Sequence, residues 1–147
     1  MLEEIEIKIK EKLEFVDITG RVKEVVKKSG IREGFVVVFT THTTSAIRIN
    51  ENERFLIEDM KSFLEKLAPS SGYYKHDNIA ERECPPDERI NGHSHLKALL
   101  LGASETIPIT NGEICLGKWQ SVFYVDLDGG DRKRKISLQV FGEKNAG

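Results

Sequence analysis

The sequence has little of what marks a secreted, membrane-spanning or nucleic-acid-coating chain. Its two cysteines, Cys84 and Cys115, show no metal-type spacing and are too few for a disulfide framework, so two reduced thiols are the simplest reading. The longest apolar run is Phe35 to Phe39, far short of the roughly 20 residues that span a bilayer. The N-terminus, MLEEIEIKIKEKLEF, alternates charged and apolar residues, unlike a signal peptide. No sign of charge dominates: the net charge is -2, and basic residues are scattered or paired with acids, which argues against a nucleic-acid partner. These absences predict a cytoplasmic protein. There is no internal repeat and no low-complexity linker, so the 147 residues are expected to form one domain, 1–147. What is abundant is charge, at 31%, dominated by Glu and Lys in the manner of heat-adapted proteins.

Ile5, Ile7, Ile9, Leu13 and Phe15 recur with a period of two, which predicts a half-buried strand with a bend or exposed turn at Glu11. Asp17-Ile18-Thr19 offers a cap to a helix with Val22, Val25 and Val26 on one face, ended by Ser29-Gly30. Phe35–Phe39 predicts a central strand buried on both faces. Ile47-Arg48-Ile49 resumes alternation, and Glu53–Leu67 carries apolar residues at helical spacing until Pro69. A long polar loop follows, from Ser70 to about Gly92, then a short helix Leu96–Leu101 that Ser94 is placed to cap. The last third reads as β: Glu105–Ile109 and Ile114–Leu116 around an Asn111-Gly112 hairpin turn, a strand from Ser121 to Asp128, a turn at Gly129-Gly130, and a strand with Ile136, Leu138 and Val140 on one face. Pro108 pushes its strand toward an edge or a bulge. The expected class is α+β, one compact domain with mixed or antiparallel sheets and two to three helices.

The long loop is the stretch that composition does not explain. His76 to Gly102 holds three of the four histidines and few residues fit for a core before Leu96. The fourth, His42, lies in Thr40-Thr41-His42-Thr43-Thr44-Ser45, and the two stretches are expected to meet in one site. His93-Ser94-His95 puts both rings on one face if extended, as metal ligands require, whereas a helix start at Ser94 would make them diverge. The plainer alternative has the histidines simply hydrogen-bonding loops. The threonines and Ser45, at the end of a strand, offer hydroxyls and backbone N–H groups to phosphate oxygens, with His95 and Lys97 near a helix N-terminus adding to an anion site. Arg132 and Arg134 share one face of the last strand and are placed to clamp a phosphate, although pattern alone favours a charged edge that blocks aggregation. Trp119, in Gly117-Lys118-Trp119-Gln120, is either a core anchor or a pocket wall.

THTTSA, INENE, YKHDN, CPPDERINGHSHLKALLLG, GKWQ and VDLDGGDRKRK followed by VFGE together resemble the YjbQ-like family, also called the secondary thiamine-phosphate synthase family. The resemblance runs from about Phe35 to Glu143. It implies an α+β domain assembled as a homotrimer, with a polar cleft holding a divalent metal ion, zinc or magnesium. On the family's motifs, His42, His76 and His95 are the implied metal ligands, with His93 ranked below them. Glu51, Asp77, His95, Arg132 and Arg134 are the implied catalytic residues. Thr41, Thr43, Thr44, Ser45, Trp119 and Gln120 are the implied substrate contacts. The implied reaction joins a pyrimidine diphosphate to a thiazole phosphate and releases pyrophosphate. Two other readings stay open: metal-dependent hydrolysis of a phosphate ester, with Glu51 or Asp77 as base, and binding of a metal or small phosphate compound without turnover.

Overall fold

A computed structural model describes residues 1–144. Two antiparallel sheets and three helices form the domain, the α+β class expected. The larger sheet contains β1 (Leu2–Ile9), β3 (Glu33–Thr40), β5 (Ser104–Thr110), β6 (Glu113–Ile114) and β8 (Arg132–Glu143), in the order β1-β8-β3-β5-β6. The smaller holds β2 (Glu14–Asp17), β4 (Ser45–Asn50) and β7 (Ser121–Asp126), in the order β2-β7-β4. The alternating N-terminal segment is therefore two strands in two sheets. It breaks beyond Ile9, where Glu14 accepts the backbone N–H groups of Lys10 and Glu11, so Glu11 does mark a bend.

Between the sheets lies the main core, where Ile5, Ile9, Val36, Val38, Ile136 and Leu138 meet Ile47, Val122 and Tyr124. Helix α1 (Thr19–Ser29) adds Val22, Val25 and Val26, and Gly30 ends it in the left-handed region at φ 74°. On the other face of the small sheet, Ala46, Phe123 and Val125 pack with Leu64 of α2 (Arg54–Leu67) and with Ala98 and Leu101 of α3 (Gly92–Leu101). Alternate residues of β7 thus feed two cores.

Two expectations change here. The strand buried on both faces is β7, not Phe35–Phe39. In β3, Val36 and Val38 are buried but Phe35 and Phe39 are each about 40% exposed, because among the described residues no layer covers the outer face of the large sheet. Phe35 stacks there on Phe141 with ring centroids 5.9 Å apart. Similarly, the apolar stripe of α2 buries only Leu64, while Phe55, Phe63 and Leu67 remain exposed. Pro108 sits as predicted near an edge, since β6 pairs only with Ile109 and Thr110. Among the described residues no helix is long and apolar enough to cross a membrane.

Candidate functional site

The site is built at one end of the small sheet, where Ser45 on β4 faces Asp126 on β7 and the chain leaves β3 through residues 40–44. Its base is a buried ion pair. Arg134 Nε donates to Asp126 Oδ1 at 2.9 Å, and Arg134 Nη2 donates to Thr44 Oγ1 at 3.1 Å. Asp126 Oδ2 accepts the Gly129 N–H at 2.6 Å. Arg134 belongs to β8, which lies between β1 and β3, so it is not on a charged sheet edge. Its strand alternation puts it on the same inward face as Ile136. Both members of this pair are buried, so each is the other's charge partner in the interior.

Two residues along, Arg132 Nη2 donates to Asp128 Oδ2 at 3.0 Å and its Nε to the Gly129 carbonyl at 3.2 Å. Asp128 also takes Arg89 and Asn91. Burial acts to raise the Asp128 carboxyl, but the bonds from Arg89 and Asn91 and the charges of Arg89 and Arg132 outweigh it and hold it below the usual carboxylate range. Gly129 and Gly130 allow this turn with φ of 73° and 89°. A Cβ on Gly129 would stand 2.5 Å from Lys12 Cα, so only glycine fits against the 10–12 bend.

His42 lies beside both arginines. Its Nε2 accepts the Lys135 backbone N–H at 3.3 Å, which leaves Nδ1 as the protonated nitrogen of a neutral ring. Burial, and then the charges of Arg134 and Arg132, hold it below the usual histidine range against Asp126. Thr40 Oγ1 and Ser45 Oγ share a hydrogen bond of 2.7 Å, and the Thr40 hydroxyl also accepts the His42 N–H. Buried Tyr124, beside Ser45 and Asp126, has its phenol pushed up to about 12 by burial and stays protonated.

The polar loop and α3 form the other wall. Asp77 Oδ1 accepts the Gly92 N–H at 2.9 Å, capping α3, and a Cβ on Gly92 would lie 2.7 Å from Tyr74 Cβ. The helix starts at Gly92, so Ser94 is not its cap. Instead the Ser94 hydroxyl, buried in the first turn, donates to the Leu127 carbonyl at 2.6 Å and ties α3 to the end of β7. The rings of His93 and His95 consequently diverge. His95 packs edge-on against His76 with centroids 4.6 Å apart, next to the backbone of Thr43. Burial, then His76, keeps it below the usual range. His93 Nδ1 receives a bond from Lys97 Nζ at 2.8 Å, and Lys97 also reaches Glu65 at 3.1 Å. Lys97 is buried in this bridge between α3 and α2 and does not add to an anion site.

The remaining expected residues lie elsewhere. Glu51, Trp119 and Gln120 are at the opposite end of the small sheet, where Asn50 faces Ser121. Five residue steps along β7, about 17 Å, separate that end from Asp126. Trp119 is 65% exposed under Lys118, neither core nor pocket wall in this chain, and Gln120 Oε1 accepts the Gly117 N–H. Thr41 and Thr43 are exposed, with Thr43 beside His95. His76, His95 and His42 do not assemble into a three-ligand set: among the described residues no three His, Cys, Asp or Glu side chains come close enough to hold a metal. The His76–His95 pair offers two ligand positions, too few for a closed site.

Asp126, Asp128, Arg89 and Asn91 were not expected from sequence. Their signal is faint: two acids at alternate positions before a Gly-Gly turn, in a chain with arginines at alternate positions after it. Asn91 Oδ1 is the one buried side-chain polar atom without a partner among the described residues, an acceptor that suits a water or a ligand donor.

Comparison with known proteins agrees with this architecture. The family model described as UPF0047 protein YjbQ-like matches residues 3–143. A UPF0047 protein of Methanothermobacter thermautotrophicus is 43% identical over 141 residues, covering 96% of this chain and 92% of that one. Another from Archaeoglobus fulgidus is 40% identical, covering 90% and 96%. Among solved structures, a YbjQ-like protein of unknown function from Sulfolobus solfataricus superposes with a TM-score of 0.87 at 36% identity, covering 97% of each chain. With its two sheets, three helices and motifs in order, this chain belongs to the YjbQ-like UPF0047 family.

Proposed function

We propose that the His42–Arg134 end of the small sheet binds a diphosphate and that the protein is a transferase of the thiamine-phosphate synthase type. The observation that carries the reading is the pair of guanidiniums, each pinned by its own acid, so that Nη1 of Arg132 and of Arg134 has no hydrogen-bond partner among the described residues. Arginines fixed in this way need no reorganisation to meet developing negative charge.

In the proposed step the thiazole nitrogen attacks the methylene carbon of the pyrimidine diphosphate. A C–N bond forms, the C–O bond breaks, and pyrophosphate leaves with the bonding electrons. No protein nucleophile is needed. Arg132, Arg134 and the Nδ1–H of His42 face the departing oxygens, while the Thr43, Thr44 and Ser45 segment positions the phosphate groups. Asp77 acts through α3: by capping Gly92 it places His95 against Thr43. A divalent ion such as zinc or magnesium, if held by His76 and His95, would add further stabilisation of the leaving charge.

Glu51, Trp119 and Gln120 enter the site only if a second copy supplies them. A homotrimer accommodates this, and the uncovered Phe35, Phe39 and Phe141 give such an assembly an apolar surface to bury. A cytoplasmic setting suits the two free thiols.

The test is thiamine phosphate formation from the two phosphorylated precursors, by the wild type with and without added divalent metal, and by Arg132→Ala and His95→Ala. The reading expects product from the wild type and a loss of about 100-fold or more in Arg132→Ala, the scale of removing a charge-stabilising donor. Turnover unchanged in both variants overturns it. Hydrolysis of simple phosphate esters that chelation abolishes would favour the metal-dependent hydrolase. Tight binding with no product would favour a non-catalytic binding protein.

A further inference from the structure

A second concave surface opens beside the Asp128–Gly130 turn, sharing with the transferase site only Asp128, the acid that also holds Arg132. It is a cleft of about 650 Å³ lined by Lys10, Lys12, Ser70, Ser71, Arg89 and His93. Three parts of the chain meet there: the bend between β1 and β2, the start of the loop after α2, and the approach to α3. Each wall is fixed. The bend is in backbone contact with Gly129. Ser70 is held by Glu65 through both its N–H and its hydroxyl, at 2.6 and 2.7 Å. Arg89 is held on Asp128 through Nε at 3.0 Å and Nη2 at 3.2 Å, with its guanidinium over Gly130.

The charges in the cleft are left unbalanced, because the acids around it are already engaged. Asp131 pairs with Lys8, Glu11 with Lys61, Glu65 with Lys97, and Asp128 with both Arg89 and Arg132. Glu14 accepts the backbone N–H groups of Lys10 and Glu11. Lys10 Nζ, Lys12 Nζ, Arg89 Nη1 and the Ser71 hydroxyl have no protein partner among the described residues. Two free ammoniums, a free guanidinium nitrogen and a hydroxyl around one opening match the oxygens of a phosphate dianion and repel a cation, while the exposed Ile90 adds an apolar side chain to the lining. His93 has Nδ1 bonded to Lys97 and Nε2 within 3.4 Å of the Ser94 hydroxyl, so both ring nitrogens have protein partners and it supplies ring surface.

The geometry points to a binding site for a dianionic phosphate group in this cleft, held by Lys10, Lys12 and Arg89 and separate from the His42–Arg134 site. The group is either free phosphate or the phosphate end of a monoester, for which the cleft has room.

Calorimetric titration with inorganic phosphate and, separately, with glycerol phosphate tests the site, each against sodium chloride at equal ionic strength. Backbone amide NMR locates the binding. The double variant Lys10→Ala/Lys12→Ala is compared with Lys23→Ala/Lys27→Ala, which removes the same charge from a different cavity. Both remove exposed side chains, so folding is retained. The expected result is saturable binding of one or both probes, with shifts at Ser71 and Gly130, weakened about tenfold in the first variant and unchanged in the second. The tighter of the two probes identifies free phosphate or ester as the fitting form. Binding no better than chloride, equal weakening in both variants, or shifts confined to His42–Ser45 would overturn the assignment.

Discussion

The two ends of the small sheet carry the motifs in different ways. At the Ser45–Asp126 end, the site's polar side chains are tied down: Arg134 to Asp126, Arg132 to Asp128, His42 to the Lys135 backbone, and Asp77 to the start of α3. At the Asn50–Ser121 end, Trp119 stands in solvent and the Glu51 carboxylate has no hydrogen bond among the described residues. The difference shows which residues can act within one chain. Preorganised charge costs folding energy and persists only where buried partners hold it, so the tethered end is the place where this chain has invested stability in geometry.

Breaking the tether should have the largest effect. Asp126→Ala removes the partner of a buried guanidinium and orphans the Gly129 N–H. It is expected to destabilise by about 3–5 kcal/mol in urea unfolding. Ser94→Ala follows, at about 1–2 kcal/mol, because the Leu127 carbonyl loses its buried donor while the helix itself is unaffected.

The Glu65 bridge gives a smaller effect that depends on pH. Burial acts to raise this carboxyl, but bonds from Ser70 and Lys97 bring it to about 2 against 4.5 unfolded. The unfolded chain therefore takes up this proton first as pH falls. The stabilisation is complete above about pH 4.5 and is lost toward pH 2. Because the carboxylate is 46% exposed, solvent screens it, and Glu65→Gln should flatten the acid limb of the stability curve by under about 1 kcal/mol. An unchanged acid limb would remove Glu65 from the account. The smallest effects belong to the other end: Glu51→Ala and Trp119→Ala should each stay within about 0.5 kcal/mol, and a larger cost would mean that this end is also built into the fold.

The fold was legible wherever one residue type has one physical use. Asn111-Gly112 makes the hairpin, with φ of 54° and 80°, and Ile136, Leu138 and Val140 face the core as their spacing requires. Burial on both faces was misplaced, because a run such as Phe35–Phe39 records hydrophobicity and not whether a layer lies above it. At the site, the histidines and arginines stood out by type. Their pairing did not: Asp126 and Asp128 stand only 8 and 4 residues before Arg134 and Arg132, but the pairs form across a turn that carries the chain from the small sheet to the large one, which residue type does not announce. His93-Ser94-His95 also turned on one local question, strand or helix. The bond from Asp77 to Gly92 answers it by starting the helix two residues before Ser94.

Pyrophosphate titration followed by backbone amide NMR would test the central claim most directly. The tethered end should respond: shifts at Thr43, Thr44, Ser45 and Lys135, abolished in Arg132→Ala, with Glu51 and Gln120 unmoved in a monomeric sample. Shifts centred on Glu51, Trp119 and Gln120, or a response that survives Arg132→Ala unchanged, would contradict the account.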